Sequence, residues 1–461
     1  MTETLLVKHS PARRALRSPV AGRVPGPVAG ASAPPATSSA GLTTSRGAAL
    51  YIGALLGPGL LLLPGLAAAE AGPASVLAWA GLIVLSGLFA MVFGSLGRAF
   101  PSAGGVIGYV RAGLGARASA VAGWTFLAGV ITGAPVVCLI GAGYVTELTG
   151  GGRPLRALVA AVLLLAVTAL AAGGLRASAA AQVLLVGLLL AVVVVAVAGS
   201  AHASHAANWA PFAPNGWQAA GHAASTLMLS FVGWEAVAPL TNRFADPARQ
   251  LPRVIGIALV VTSVLYLGLA VATIGVLGRG AGTSAPLAAL LRVAVGPAGT
   301  AAAAVAAVVL TLGAVNAYVT GAAEMAAGLA PSPSLSPSPA QAPASRPAGP
   351  VRPAPRFLAA IGASGLTLIS LYGLGAVSPA ALIALPTTLF LVVYLGCMTS
   401  AVRVLRGPAR VAAAPAALIV AAVLAYCGWS LLAALAVAVA VCAVRPLAAA
   451  ARAHRNPRVS R

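Results

Sequence analysis

GALLGPGLLLLPG, residues Gly53 to Gly65, lies inside the first long apolar run of the chain, yet it holds four glycines and two prolines. A helix that crosses a bilayer needs ~20 apolar residues with every backbone polar group satisfied within the segment. Pro58 defeats that requirement. It has no N–H to give to Ala54, and its ring crowds the carbonyl there. The glycines on either side lower the helical preference further. The run therefore reads as a spanning helix broken near its middle. Broken backbone at that depth is tolerated only where it is buried in protein or lines a cavity, and there its free N–H and C=O groups can hold a polar ligand.

The composition around this stretch is that of a polytopic membrane protein. Of 461 residues, 60% are hydrophobic and 7% charged, and the mean hydropathy is +0.98. A soluble domain carries roughly 25% charged residues. The formal charge of +22 does not mark a nucleic-acid binder, because the basic residues fall in tails and in short loops between apolar runs. Lys8 is the only lysine, which together with the Ala and Gly content suggests a GC-rich bacterial coding sequence. Cys138, Cys397, Cys427 and Cys442 all lie in apolar runs without metal-ligand spacing, so no disulfide framework, metal site or cofactor is expected.

Twelve spans are expected, near 46–69, 74–97, 118–147, 155–173, 177–199, 219–241, 253–278, 296–326, 356–376, 379–401, 409–425 and 427–445. Residues 1–44 have no apolar core of a signal peptide and read as a disordered cytoplasmic tail. Residues 45–445 then form the transmembrane domain. A Pro/Ser-rich cytoplasmic loop at 331–355 joins spans eight and nine, and 446–461 is a basic cytoplasmic tail. With the N-terminus inside, 24 of the 28 basic residues fall on the cytoplasmic side. Only Arg153, Arg156, Arg279 and Arg292 fall outside. That bias supports ten spans before the last pair, with both termini in the cytoplasm.

Span six carries a second interruption. Ser230-Phe231-Val232-Gly233-Trp234-Glu235 places a serine, a glycine and a carboxylate inside an apolar run, with Pro239 one turn on. Interruptions five spans apart indicate a five-plus-five inverted repeat with discontinuous helices 1 and 6 and a binding site between them. Half-helix N-termini suit a carboxylate, and free carbonyls suit an ammonium group. A small amino acid presents both. Walls of Ala, Leu and Val with Phe231 and Trp234 leave room for an apolar side chain.

Glu235 is the sharpest single residue, since a carboxylate near the membrane centre costs ~2.5–3.5 kcal/mol to insert and turns toward the bundle interior. It reads either as a proton-coupling group or as a helix anchor. Asn316 and Thr320 share a face of span eight and could line the site, although a bond across helices is the plainer reading. Glu70, Glu147 and Glu324 lie near span ends, where solvation explains them, and His202, His205 and His222 read as residues of a solvated loop.

These residues fall into motifs. Gly53-x-x-x-Gly57-Pro58-Gly59-Leu60-x-x-x-Pro64-Gly65 comes first. Pro101-Ser102-Ala103-Gly104-Gly105-x-x-x-Tyr109 follows span two, Asn208-Trp209-x-Pro211 precedes span six, and Phe231-x-Gly233-Trp234-Glu235 leads to Asp246-Pro247-x-x-x-x-Pro252. In this order they resemble bacterial amino acid permeases of the amino acid–polyamine–organocation superfamily over about residues 45–255. The resemblance implies a substrate amino acid held at the broken helices. Gly57 and Gly59 would offer backbone to its carboxylate, and Phe231 and Gly233 would flank its ammonium group near a gate, with Pro58 and Trp234 as further substrate-binding residues. Two departures stand out. Pro58 occupies the family's serine position, removing an N–H and a hydroxyl, and residues 177–199 hold none of the lysine that proton-coupled relatives often carry there.

The function expected is a secondary active transporter for neutral, apolar amino acids in a bacterial cytoplasmic membrane. Protons or substrate exchange are the open coupling modes, monomer and homodimer the open assemblies. No catalytic residues are expected, because the spans offer no clustered His, Asp or Cys. A non-transporting sensor or partner subunit with the same fold is the alternative.

Overall fold

The computed structural model describes residues 43–57, 59–100, 105–174, 179–236, 244, 246–329 and 353–455. Pro58, the segment 101–104, the tail through residue 42 and most of the loop expected at 331–355 lie outside those residues. Every described element is helical. Span one consists of α1 (Thr44–Leu55) and α2 (Gly59–Ala71), separated at Leu56 and Gly57. Then come α3 (Ser75–Ala99), α4 (Val106–Thr149), α5 (Arg153–Ala172) and α6 (Ala179–Ser200). Span six opens with α7 (Trp217–Leu227), which gives way to single 3₁₀ turns at Met228–Phe231 and Trp234–Ala236. The second half continues with α8 (Pro247–Ala272), α9 (Pro286–Val295), α10 (Pro297–Leu329), α11 (Pro355–Gly373) and α12 (Pro379–Val404). The chain closes with α13 (Pro408–Ala425) and α14 (Leu431–Arg455).

Prolines begin these helices more than they break them. Pro247, Pro286, Pro297, Pro355, Pro379 and Pro408 each occupy the first helical position, where the missing N–H has no intrahelical acceptor to lose. Asp246 caps α8 by accepting from the Arg249 N–H at 3.2 Å, which accounts for the Asp-Pro pair after span six.

Nine segments among the described residues are long and apolar enough to cross a membrane. One of them, Gly59–Ala99, turns at Gly72 (φ +61°) and Pro73 and holds both α2 and span two. With the interrupted span six and the shorter apolar stretch Gly428–Ala443, the twelve expected spans find their counterparts. Span three begins earlier than 118, because α4 starts at Val106 and is broken by Gly115 (φ +83°) into an entry piece and the span proper. The helix α9 was not expected. It is a ten-residue amphipathic segment in the connection from span seven to span eight, which buries Leu287, Leu290 and Leu291 and packs chiefly on α6 and α10. The last helix runs on to Arg455, into the stretch expected as tail.

The packing repeats with a step of five spans. Span one lies on six (α2 on α7), two on seven (α3 on α8), three on eight (α4 on α10) and four on nine (α5 on α11). Span one also packs on seven and five (α1 on α8 and α6), and span six packs equivalently on two and ten (α7 on α3 and α12). Five crossings are an odd number, so the second unit enters the bundle from the face opposite the first. The repeat is therefore inverted.

Candidate functional site

The two breaks meet. A Cβ placed on Gly233 would sit 2.5 Å from the Ala54 carbonyl oxygen, and Gly233 has φ +138°. Only glycine permits this approach. Tyr266 of α8 joins the breaks as well. Its hydroxyl lies 2.6 Å from the carbonyl oxygens of Leu55, the last residue of α1, and of Ser230. Its ring packs on Trp79 and Phe231, with centroids 5.1 Å away in each case.

The backbone freed in span six is served by side chains. The Tyr394 hydroxyl accepts from the Gly233 N–H at 2.9 Å and the Trp234 N–H at 3.1 Å, and donates to Glu235 Oε2. The same carboxylate oxygen accepts from the Gly233 N–H at 2.9 Å. The Trp234 indole N–H donates to Ser86 Oγ of α3 at 2.8 Å. Glu235 thus sits behind the break at the bundle interior, bonded to the turn that carries it.

In span one the arrangement is more open. The Gly57 N–H bonds to the Leu55 carbonyl at 2.8 Å, and the Leu60 N–H to the Gly57 carbonyl at 3.1 Å. Among the described residues nothing lies within 4 Å of where a Gly57 side chain would begin. A small cavity of about 60 Å³ adjoins this point. Gly57 and Gly59 line it from span one and Leu229 and Val232 from span six. Gly129, Gly133 and Val137 of α4 form one wall, and Val315 and Tyr318 of α10 with Phe390 of α12 form the other. Among the lining residues Tyr318 alone carries a polar side-chain group.

The residues expected at the site therefore separate into two sets. Gly57 and Gly59 border the cavity, whereas Phe231, Gly233, Trp234 and Glu235 form the turn beside it. Pro58 lies outside the described residues. Asn316 is buried on α10 between lining residues without lining the cavity itself. Thr320 donates to the Asn316 carbonyl at 2.8 Å, a bond within its own helix rather than across helices. Tyr318, Tyr394, Tyr266 and Ser86 were not anticipated. A tyrosine inside an apolar span needs a partner for its hydroxyl, which could have marked three of them. Gly129-x-x-x-Gly133, a small-residue face on a spanning helix, could have marked the α4 wall. Among the described residues no cluster of His, Cys, Asp and Glu could hold a metal ion, and the four cysteines are unpaired.

Comparison with known proteins fits this geometry. A family model described as amino acid permease matches residues 42–446. An uncharacterized amino acid permease, YecA of Bacillus subtilis, is 30% identical over 339 residues, covering 73% of this chain and 79% of its own. The L-methionine/branched-chain amino acid exporter YjeH of Escherichia coli is 34% identical over 206 residues, 44% of this chain and 48% of its own. The branched-chain amino acid permease BcaP of Bacillus subtilis is 27% identical over 229 residues, 46% of this chain and 49% of its own. With its interrupted spans and repeated packing, the chain belongs to the amino acid permease family of the amino acid–polyamine–organocation superfamily, as a multi-pass membrane protein.

Proposed function

We propose that the protein carries neutral, apolar amino acids across a bacterial cytoplasmic membrane by alternating access, with the substrate held at the two breaks. The observation that carries this reading is the cavity at Gly57, whose lining offers backbone, aliphatic and aromatic surface and no charged side chain. A cationic or anionic substrate side chain would enter it unpaired, at a cost that an apolar one avoids. The Leu60 N–H at the start of α2 is taken by the Gly57 carbonyl, and the remaining first-turn N–H groups have no acceptor within the helix and suit a carboxylate. Two relatives named for branched-chain amino acids support the same class. The Arg distribution supports a cytoplasmic location for both termini, with a tail at 1–44 and a loop at 331–355 on that side.

In this reading Gly57 and Gly59 hold the carboxylate, while the span-six turn through Phe231, Gly233 and Trp234 faces the ammonium group and moves with the gate. Glu235 ties the turn to Tyr394, so a change in its protonation alters the acceptor on which the turn hangs. That makes it the residue through which a proton gradient would act. Asn316 and Thr320 support the α10 wall from behind Val315 and Tyr318. Direction of transport follows from gradients and not from this geometry.

Counterflow in proteoliposomes tests the proposal. A panel of neutral, basic and acidic amino acids is offered with and without an imposed pH gradient. Accumulation of leucine, isoleucine, valine or methionine is expected. Preference for arginine or glutamate would overturn the substrate class. Binding without counterflow of any amino acid would favour a sensor or partner subunit instead.

A further inference from the structure

A second cavity lies outside the site just described, and we propose that it is an entry subsite centred on Arg156 that takes the carboxylate of an apolar amino acid. The proposal rests on the transport reading above only in placing the subsite on the substrate's route.

The cavity, about 150 Å³, is the larger of the two. It lies along the same helices as the central one. On α2, Gly59 lines the central cavity, and Leu62 and Leu66 line the second. On α4 the pair is Val137 and Ile140, and on α12 it is Phe390 and Ile383. Three helices thus pass from one cavity to the other within one or two turns, roughly 5–10 Å of axial rise.

Its walls are aliphatic and one side is polar. Arg156, in the first turn of α5, donates from Nε to Thr146 Oγ1 at 3.2 Å, from Nη1 to the Tyr372 hydroxyl at 3.2 Å and from Nη2 to Ser284 Oγ at 2.9 Å. A guanidinium has five donors, so two remain. All three partners are neutral hydroxyls, and among the described residues no carboxylate pairs with Arg156. The side chain is partly buried and permanently charged. Such a cation beside leucine and isoleucine walls lacks the anion that would offset its desolvation. Two further features deepen the positive potential there. Arg156 itself stands in the N-terminal turn of the 20-residue α5, and the Arg153 guanidinium sits 5.9 Å from the Tyr372 ring centroid. Planar bidentate recognition of a carboxylate is the chemistry of a fixed guanidinium. The aliphatic wall selects an apolar side chain on the ligand.

A labelled cysteine reads this cavity directly. Thr283 lines it without bonding Arg156, its hydroxyl accepting only from the Ala285 N–H at 3.3 Å. The variant Thr283→Cys is made in the full chain with the exposed Cys442 changed to Ser. Its rate of alkylation in detergent is measured with L-leucine, with 4-methylpentanoate (the carboxylate without the amine) and with L-leucinol (the amine without the carboxylate). Both carboxylates are expected to slow labelling at least about threefold while leucinol leaves it unchanged. Arg156→Gln is expected to abolish the protection, and Arg156→Lys to keep part of it. Equal protection by leucine and leucinol, or protection by neither, overturns the subsite without any change at Arg156. So does full protection in folded Arg156→Gln. The Arg156→Gln arm separates the subsite from closure driven from the central site, which Arg156 does not line. Counterflow by the unmodified protein is scored separately. Its failure with carboxylate protection intact overturns the transport reading alone, and intact counterflow without protection overturns the subsite alone.

Discussion

In span one the helix stops at Leu55 and resumes at Gly59; in span six the irregular stretch runs from Met228 to Ala236. The longer break is the more completely bonded. Gly233 and Trp234 give their N–H groups to Tyr394, Glu235 shares the Gly233 donor, and the Trp234 ring is pinned to Ser86. The shorter break borders open space at Gly57 and has no side chain from another helix on its N–H groups among the bonds seen. Equivalent positions in a repeat thus differ in how they are held. Side chains of other helices take N–H groups at one break, and the other borders the cavity.

Substitutions can break this contrast. Gly233→Ala should have the largest effect, because the new Cβ would meet the Ala54 carbonyl and adopt a strained φ that costs ~1–3 kcal/mol before the clash is counted. Its melting temperature in detergent should fall sharply, and a wild-type melting curve would contradict the close approach of the two breaks. Tyr394→Phe removes one acceptor for two buried N–H groups and one donor to Glu235. A loss of about 1–3 kcal/mol is expected, together with at least tenfold slower counterflow. Glu235→Gln keeps an oxygen for the Gly233 N–H, so stability should stay within about 1 kcal/mol. Transport by this variant should no longer respond to an imposed pH gradient; an unchanged response would remove Glu235 from coupling and leave it as an anchor. Gly57→Ala should change stability least, since its methyl group enters empty space. Its effect should appear as a severalfold rise in KM for leucine, and an unchanged KM would place the substrate elsewhere.

The fold was largely legible because its two informative features are local. Hydropathy marks the spans, and Gly57-Pro58-Gly59 and Val232-Gly233 interrupt them within a few residues. The site was half legible. The glycines could be found, but the groups that serve them could not. Tyr394 is 159 residues from Glu235 and Tyr266 is 211 from Leu55, and inside apolar runs they look like ordinary core aromatics. Their roles arise from packing α12 and α8 against the breaks, which no local pattern encodes. The helix α9 is hidden for a different reason: ten residues are too few for a span. Arg156 was counted only for topology, since its hydroxyl partners come from α4, α11 and the turn before α9.

The Tyr266 hydroxyl has one proton and two carbonyl oxygens at 2.6 Å. Whichever it serves, the other stands ready as a substitute. Rotation of the hydroxyl exchanges one bond for the other without moving either helix. A single proton thus ties the end of α1 to the span-six turn, and a phenylalanine at this position would keep the packing but lose that tie.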